Sequence, residues 1–533
     1  MRGAFWLVSI GLFLITRVPA GARYLSIDDV NLAFSLEHFD PLNHQPQPPG
    51  YPFFVALARI VNFLFRDPTT TFAVIALLTG ALCLPVIVAL GERIHSRAAG
   101  QAAALLLIVN PVFWQSGLVG PLRGFLALFS LLTAYCAWRA WKGETQWALF
   151  GACALGIGGG FRPDLLPALF PLWLVSAAAG SRSLKTVLAG TAIIGALTLV
   201  WVSALVIAVG SIESLVGLNT QYLARESERA GSFLFGASAG GVRRQVGRLV
   251  IWNALAVIGW IWAAPLALIS RSGGADGQKR PSRLIFAAVW LLPGLLLQAM
   301  IHVEAPDHTL FSIPAFCLLG GWALSLLPAG PSATERQSLS GIALGAAMAI
   351  NVMLFLNFIP LPTGESAPGA LQSLKNGAAY GVFEASLGQV NWLDDINTTT
   401  MQELKQVTPG PERRWIIVSA DDADRKEWFM NWRILRYYAP KADIWVATDQ
   451  HQALRVLRDR IVESREAGEQ GLVDIPAPRG GRIIWLIENG GALYRALQGE
   501  RRLEGGPRLP YTDIPENGEP FSAWKYRFVP TSD

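Results

Sequence analysis

Phe72-Ala73-Val74-Ile75-Ala76-Leu77-Leu78-Thr79-Gly80-Ala81-Leu82-Cys83-Leu84-Pro85-Val86-Ile87-Val88-Ala89-Leu90-Gly91 contains no charged residue. As an α-helix it reaches about 30 Å, the hydrocarbon thickness of a bilayer. Runs of the same character lie on both sides, at residues 4–20, 99–117, 121–140, 146–160, 163–179, 185–209, 248–269, 283–300, 309–327 and 339–360. Together they predict a polytopic α-helical membrane protein with about eleven transmembrane helices over residues 1–361. Composition agrees, with 52% hydrophobic and 16% charged residues, against roughly 25% charged in ordinary soluble domains.

The charges between the runs give an orientation. One set of alternate loops carries Arg93 and Arg97, then Arg139 and Lys142, Arg182 and Lys185, then Arg271, Lys279, Arg280 and Arg283, and finally Arg336. By the positive-inside rule these face the cytoplasm. The opposite face then receives residues 21–71, the turn around Arg162, residues 211–247 and 302–308, and everything from 362 to 533. A net charge of +5, spread over short loops, gives no footprint for nucleic acid. Cys83, Cys136, Cys153 and Cys317 all fall in apolar runs, so neither a disulfide framework nor a cysteine zinc site is indicated. Arg2, the apolar run and Pro19-Ala20-Gly21-Ala22 also read as a cleavable signal peptide, although Arg17 at the end of the run is unusual for one.

From about residue 365 the apolar runs stop, and residues 362–533 read as a soluble α/β domain outside the cytoplasm. Strand-like segments at Trp415–Ser419, Asp443–Ala447 and Arg482–Ile487 alternate with helix-like ones at Arg425–Tyr438 and Gln452–Arg465. No G-x-G-x-x-G follows a strand, so a dinucleotide site is not indicated. Asn397-Thr398-Thr399 fits a glycosylation triplet, a pattern frequent by chance.

The first outer loop, 21–71, holds the densest candidate chemistry. It reads Ser26-Ile27-Asp28-Asp29-Val30-Asn31, then Glu37-His38-Phe39-Asp40, then His44-Gln45-Pro46-Gln47-Pro48-Pro49-Gly50-Tyr51-Pro52. Adjacent aspartates just past a span suit a general base, or simply begin a solvated loop. On an extended chain their side chains face opposite sides, so one enters a chamber while the other meets solvent or a structural partner. The proline run lacks backbone donors and enforces turns, which leads the chain into an interfacial helix at 53–65.

These features, with many further spans and a C-terminal outer domain, resemble the GT-C superfamily of polyprenyl-phosphate-sugar-dependent glycosyltransferases, which includes protein O-mannosyltransferases and aminoarabinose transferases. The likeness covers residues 1–180, and Pro48-Pro49-Gly50-Tyr51-Pro52 is its most specific part. It implies that an acid of the first outer loop is the catalytic base, a role that carries to Asp28 or Asp29 because this chain has Asp where the usual Asp-Glu pair has Glu. The implied reaction moves a sugar from a polyprenyl-phosphate donor to an extracytoplasmic hydroxyl of an unknown acceptor, with inversion and without a cofactor. Arginine forks match phosphate oxygens, which makes Arg123, Arg162, Arg243 and Arg244 candidates for the leaving group, with Arg248 beside them. Arg162 has a competing structural reading, pairing with Asp164 to tie two spans together. His44 and His308 are candidate substrate contacts. The spacings of His38 with His44 and of His302 with His308, near Glu304 and Asp307, match no tight metal motif. A transporter or lipid flippase is the rival reading, but it favours polar groups at the membrane midplane, whereas here the charges collect at one face. A non-catalytic assembly protein is the second rival. The composition points to a bacterial cytoplasmic membrane.

The orientation predicts that alkaline phosphatase fused after Gly364 is active and that a fusion after Gly274 is not. The reverse pattern inverts the topology.

Overall fold

The structure is a computed structural model and describes residues 2–181, 183–230, 238–265, 280–301, 303, 305–327, 333–356, 385–410, 413–421, 432–448, 451–457, 460–487, 490–506 and 509–531. The chain forms two compact units, one of Met1–Ala22 with Phe39–Val390 and the other of Arg23–His38 with Asn391–Asp533.

The first unit is helical. It opens with α1 (Arg2–Arg17); α2 (Ile27–Glu37) belongs to the second unit. Helices α3 (Pro52–Phe65) and α4 (Pro68–Ile94) follow, and the carboxylate of Asp67 caps α4 by accepting from the Thr70 backbone at 2.8 Å, with Pro68 in the first turn. Next come α5 (Arg97–Ile108) and α6 (Pro111–Val119), bent 54° apart. Pro111 cannot continue the α5 ladder, and Asn110 recaps α6 by accepting from Phe113 N at 3.0 Å. The bend frees the Ile108 carbonyl, and Arg17 takes it: its Nη2 donates there at 2.8 Å. The Arg17 guanidinium also lies 4.5 Å from the Phe13 ring centroid, 5.5 Å from Phe113 and 5.8 Å from Trp114. A carbonyl and three ring faces thus house a buried cation, and Arg17, odd for a signal peptide, packs α1 against the α5–α6 bend.

Helices α7 (Gly124–Trp141), α8 (Gln146–Phe161), α9 (Leu165–Ser181), α10 (Leu184–Val209), α11 (Ile212–Ala230) and α12 (Ala239–Ala254) follow, then Arg280–Met300, Ile313–Ser325 and Ala333–Leu356. By length and apolarity, four described helices suffice to cross a membrane, or five if the bent pair counts as one span. Other apolar helices among the described residues, such as Gln146–Phe161 and Ile313–Ser325, are shorter, so the expected count of about eleven spans is not confirmed. Two expectations shift with them. Residues 211–247 contain α11 and the start of α12, and the run at 248–269 falls partly in a helix that ends at Ala254. The loop residues Arg182, Arg271, Lys279, His302 and Glu304, and the expected boundary at 361/362, lie outside the described residues.

In the second unit, the six-stranded sheet runs β4-β3-β2-β1-β6-β7, with β1 (Trp415–Asp421) parallel to β2 (Ile444–Thr448) and β6 (Arg482–Leu486). These match the three expected strands. Gln452–Arg465 is not a helix: it forms β3 (Gln452–Leu457) and β4 (Arg460–Glu466), an antiparallel hairpin on β2. Ala453 and Val456 are fully buried, and pairing with the buried β2 outweighs the helix-compatible spacing of Leu454, Leu457 and Ile461. The expected helix at Arg425–Tyr438 is described only over Trp432–Tyr438. Strands β5 (Val473–Pro478), β9 (Tyr526–Thr531) and β8 (Phe521–Ala523) form a second sheet; β7 spans Tyr511–Asp513. Trp445, Trp485, Tyr526 and Phe528 fill the core around them. The Asn397 triplet sits within the helix Leu387–Val407 with Asn397 buried, unlike the exposed loop a glycosylation site requires.

Helices α4 and α5 approach through glycines. A Cβ on Gly100 would stand 2.5 Å from the Val88 carbonyl oxygen, a backbone atom that cannot swing away. Gly100→Ala should therefore lower the melting temperature of the detergent-solubilised protein, at a cost of roughly 1–3 kcal/mol. Gly195→Ala, whose Cβ meets nothing within 4 Å, should leave it unchanged or raise it. Equal melting temperatures for the two variants would contradict this packing.

Candidate active site

Ser26, Ile27, Asp28 and Asp29 begin a helix, not the extended chain expected. Ser26 is the N-cap: its hydroxyl accepts from Asp29 N at 3.3 Å, while Asp29 Oδ2 accepts from Ser26 N at 3.3 Å and from Ser26 Oγ at 2.7 Å. This reciprocal capping box consumes Asp29, which is 4% exposed. Asp28, one residue earlier in the first turn, keeps partial exposure. Neighbours on a helix diverge by about 100°, so the two carboxylates still separate into one structural and one more accessible group. His38 ends α2, its backbone N–H bonded to Phe34 O at 3.0 Å.

The proline segment of the first unit is built from two turns. Asp40 and Gln45 pair backbone to backbone, at 2.6 Å and 2.9 Å, and the Asp40 carboxylate accepts from Leu42 N, Asn43 N and Asn43 Nδ2. His44 takes a left-handed conformation with φ 58° and meets Tyr222 edge-on at 6.3 Å. Gly50 holds φ +102°, and a Cβ there would lie 2.5 Å from Leu205 Cδ2, so only glycine fits. Buried Tyr51 then caps α3, with Pro52 in its first turn. The role read for this segment, leading the chain into a helix at 53–65, agrees with α3.

Tyr51 connects the turn to the charges. The Arg162 guanidinium is 5.7 Å from the Tyr51 ring centroid and forks onto Asp164, Nε to Oδ1 at 3.1 Å and Nη2 to Oδ2 at 2.7 Å. Arg162 is 6% exposed, and its Nη1 has no hydrogen-bond partner among the described residues. A second pair lies near it: Arg123 Nε stands 3.7 Å from Asp307 Oδ2, whose other oxygen, Oδ1, is buried without a described hydrogen-bond partner. The apolar surroundings of the half-exposed Asp164 carboxyl, in the turn between α8 and α9, would by themselves raise it, but Arg162 and then Arg123 outweigh them and hold it below the ordinary carboxylate value. For Arg162 the order is the same, with burial opposing the charge and Asp164 overcoming it. The short helix Pro306–Phe311 that carries Asp307 and His308 is anchored by Gln298 Nε2 donating to His308 O at 2.6 Å and by Ser130 Oγ donating to Phe311 O at 2.6 Å.

Of the sequence candidates, the structure brings Arg162 and Arg123 together, with Asp164 and Asp307 as counter-charges. It does not bring Arg243 and Arg244 to them: both are exposed on α12 and bond to neither pair, while Arg248 lies 5.8 Å from the Trp252 ring. Two members were missed. Asp307 was visible only as a neighbour of His308, and Tyr51 only as part of a turn, because contacts across the fold leave no mark on local spacing. No grouping of three or more potential metal ligands occurs among the described residues.

Residues 45–207 match the family described as dolichyl-phosphate-mannose-protein mannosyltransferase. The fold is similar to that of ArnT from Cupriavidus metallidurans bound to undecaprenyl phosphate, with 12% identity and TM-score 0.57, and to the same protein in the apo state, with 14% identity and TM-score 0.59. Each alignment covers 96% of this chain and 97% of that one. The archaeal oligosaccharyltransferase AglB from Archaeoglobus fulgidus aligns over 78% of this chain and 62% of its own at 13% identity and TM-score 0.39. No curated protein matches the chain in sequence.

Asp164→Asn should weaken the Arg162 fork and lower thermal stability at neutral pH. Two charge-assisted bonds are roughly 1.5–3 kcal/mol each, reduced here because the carboxylate side chain is 42% exposed. Because the folded Asp164 carboxyl is held low, its stabilisation is present above the unfolded value and lost as pH falls through the folded one. Wild-type and Asp164→Asn melting curves should therefore converge on acidification; a constant gap would show that the pair does not act through charge.

Proposed function

We propose that this chain, a member of the GT-C superfamily of membrane glycosyltransferases, transfers a sugar from a polyprenyl-phosphate donor to an acceptor hydroxyl at the extracytoplasmic face of a bacterial cytoplasmic membrane. The observation that carries the reading is the family match over residues 45–207, which starts in the proline turn and includes Arg123 and Arg162. The ArnT-like fold supports it, since that relative holds undecaprenyl phosphate.

In this reading Asp28 takes the proton from the acceptor hydroxyl as its oxygen attacks the anomeric carbon, and the bond to the phosphate oxygen breaks on the opposite face, inverting the configuration. The leaving polyprenyl phosphate carries the electron pair away as charge. Arg162, rigidly held by Asp164 and with Nη1 unspent, is the group suited to meet that charge, with Arg123 beside it. Arg243 and Arg244, exposed on α12, are assigned to attraction of the anionic donor, and His44 and His308 to contacts with sugar or acceptor. Asp29 is assigned to holding the helix start.

The test is transfer of label from a radiolabelled polyprenyl-phosphate sugar in membranes carrying each variant. Asp28→Asn should retain the fold and donor binding and lose about 10²–10⁴-fold in rate. Asp29→Asn should cost about 0.5–2 kcal/mol of stability as a broken cap and lose less activity. If Asp29→Asn is inactive while Asp28→Asn is not, the base is the neighbour; if both remain active, the general base lies elsewhere.

A further inference from the structure

The strand-containing unit holds the segment that leads into α2, and it does so through backbone groups. The Asp394 carboxylate, 9% exposed on the helix Leu387–Val407, accepts from Arg23 N at 3.0 Å and 2.8 Å and from Tyr24 N at 3.1 Å. One residue on, the Tyr438 hydroxyl accepts from Leu25 N at 2.8 Å. Three consecutive amides are thus fixed immediately before the Ser26 cap, and the capping box fixes the next turn. The Tyr24 ring packs edge-on against Tyr438 at 5.1 Å, Phe34 packs against Tyr437 at 5.6 Å, and the Arg436 guanidinium lies 4.4 Å from the Phe34 ring centroid. Both ends of α2 are therefore clamped by the single short helix Trp432–Tyr438. Burial keeps the Tyr438 phenol protonated well beyond its ordinary range, so it stays a neutral hydroxyl.

We propose that Asp394 and Tyr438 are positioning residues for Asp28, so that the C-terminal domain sets the geometry of the general base. The proposal rests on the reading of Asp28 as that base. A backbone clamp suits this task because amides cannot change rotamer, so the first turn of α2 keeps one orientation. Displacement of a reacting group by about 1 Å is enough to cost about 10²-fold in rate.

The experiment compares Tyr438→Phe, Asp394→Ala and Asp394→Asn with Asp28→Asn in the label-transfer assay, recording kcat, KM for the donor and melting temperature. Tyr438→Phe deletes only the acceptor oxygen, and it should lower kcat about 10-fold or more with donor KM unchanged. Asp394→Ala should do the same, and Asp394→Asn, which retains one acceptor oxygen, should recover part of the loss. In the Asp28→Asn background Tyr438→Phe should cost nothing further, because a group acting through Asp28 has nothing left to position. An inactive Asp28→Asn alongside wild-type kcat in Tyr438→Phe and Asp394→Ala overturns the positioning role and leaves the base in place. Full activity in Asp28→Asn overturns the base and the positioning role with it. An additive loss in the double variant also overturns the positioning role.

Discussion

A guanidinium inside an apolar helical bundle must be given partners, since an arginine in hydrocarbon costs roughly 2.5–3.5 kcal/mol even on the mildest scales. The membrane-embedded unit is organised by how it meets that demand. Arg17 is housed by the carbonyl freed at the α5–α6 bend and by the faces of Phe13, Phe113 and Trp114. Arg162 is housed by a forked carboxylate in the turn between α8 and α9. Arg17 is enclosed by rings and packs α1 against the bend, whereas Arg162 lies against Tyr51 with a second ion pair, Arg123–Asp307, near it. Each keeps one buried N–H without a hydrogen-bond partner among the described residues, and only Arg162 is proposed to meet a ligand.

The same economy runs through the two aspartates of the first outer segment. Asp29 is spent on the capping box and Asp28 is not part of it, so a pair that looks redundant in sequence separates into a structural group and a more accessible one, the proposed base, once a helix begins at Ser26. The C-terminal unit then adds its own constraint through Asp394 and Tyr438, which under the proposed positioning role ties the strand-containing unit to the general base.

Much of this was legible beforehand because apolar runs, prolines and capping residues act locally. The runs at 72–91 and 185–209 became α4 and α10, Pro52 began α3, and the strands around Ile417, Val446 and Ile484 lay where β-branched residues cluster. Most of what differs from the expectation is decided by distant partners. The hairpin at Gln452–Glu466 depends on pairing with β2; two departures are local instead, the break at Asn110 that divides an apolar run and the Ser26–Asp29 box that makes Asp28 helical where extended chain is expected. The Arg123–Asp307 pair joins residues remote in sequence, and Arg243 and Arg244, adjacent in sequence to the rest of their basic cluster, bond to neither pair.

The central claim is chemical: a carrier phosphate leaves as a sugar is transferred. It is tested most directly with the purified protein in proteoliposomes, supplied with a polyprenyl-phosphate sugar labelled in both the sugar and the phosphate, together with an extract of membrane acceptors. The account predicts that free polyprenyl phosphate appears in step with labelled acceptor, one for one, and that neither appears without protein. Binding of the donor without release of its phosphate, or movement of intact donor across the bilayer, would contradict it and favour a carrier or flippase.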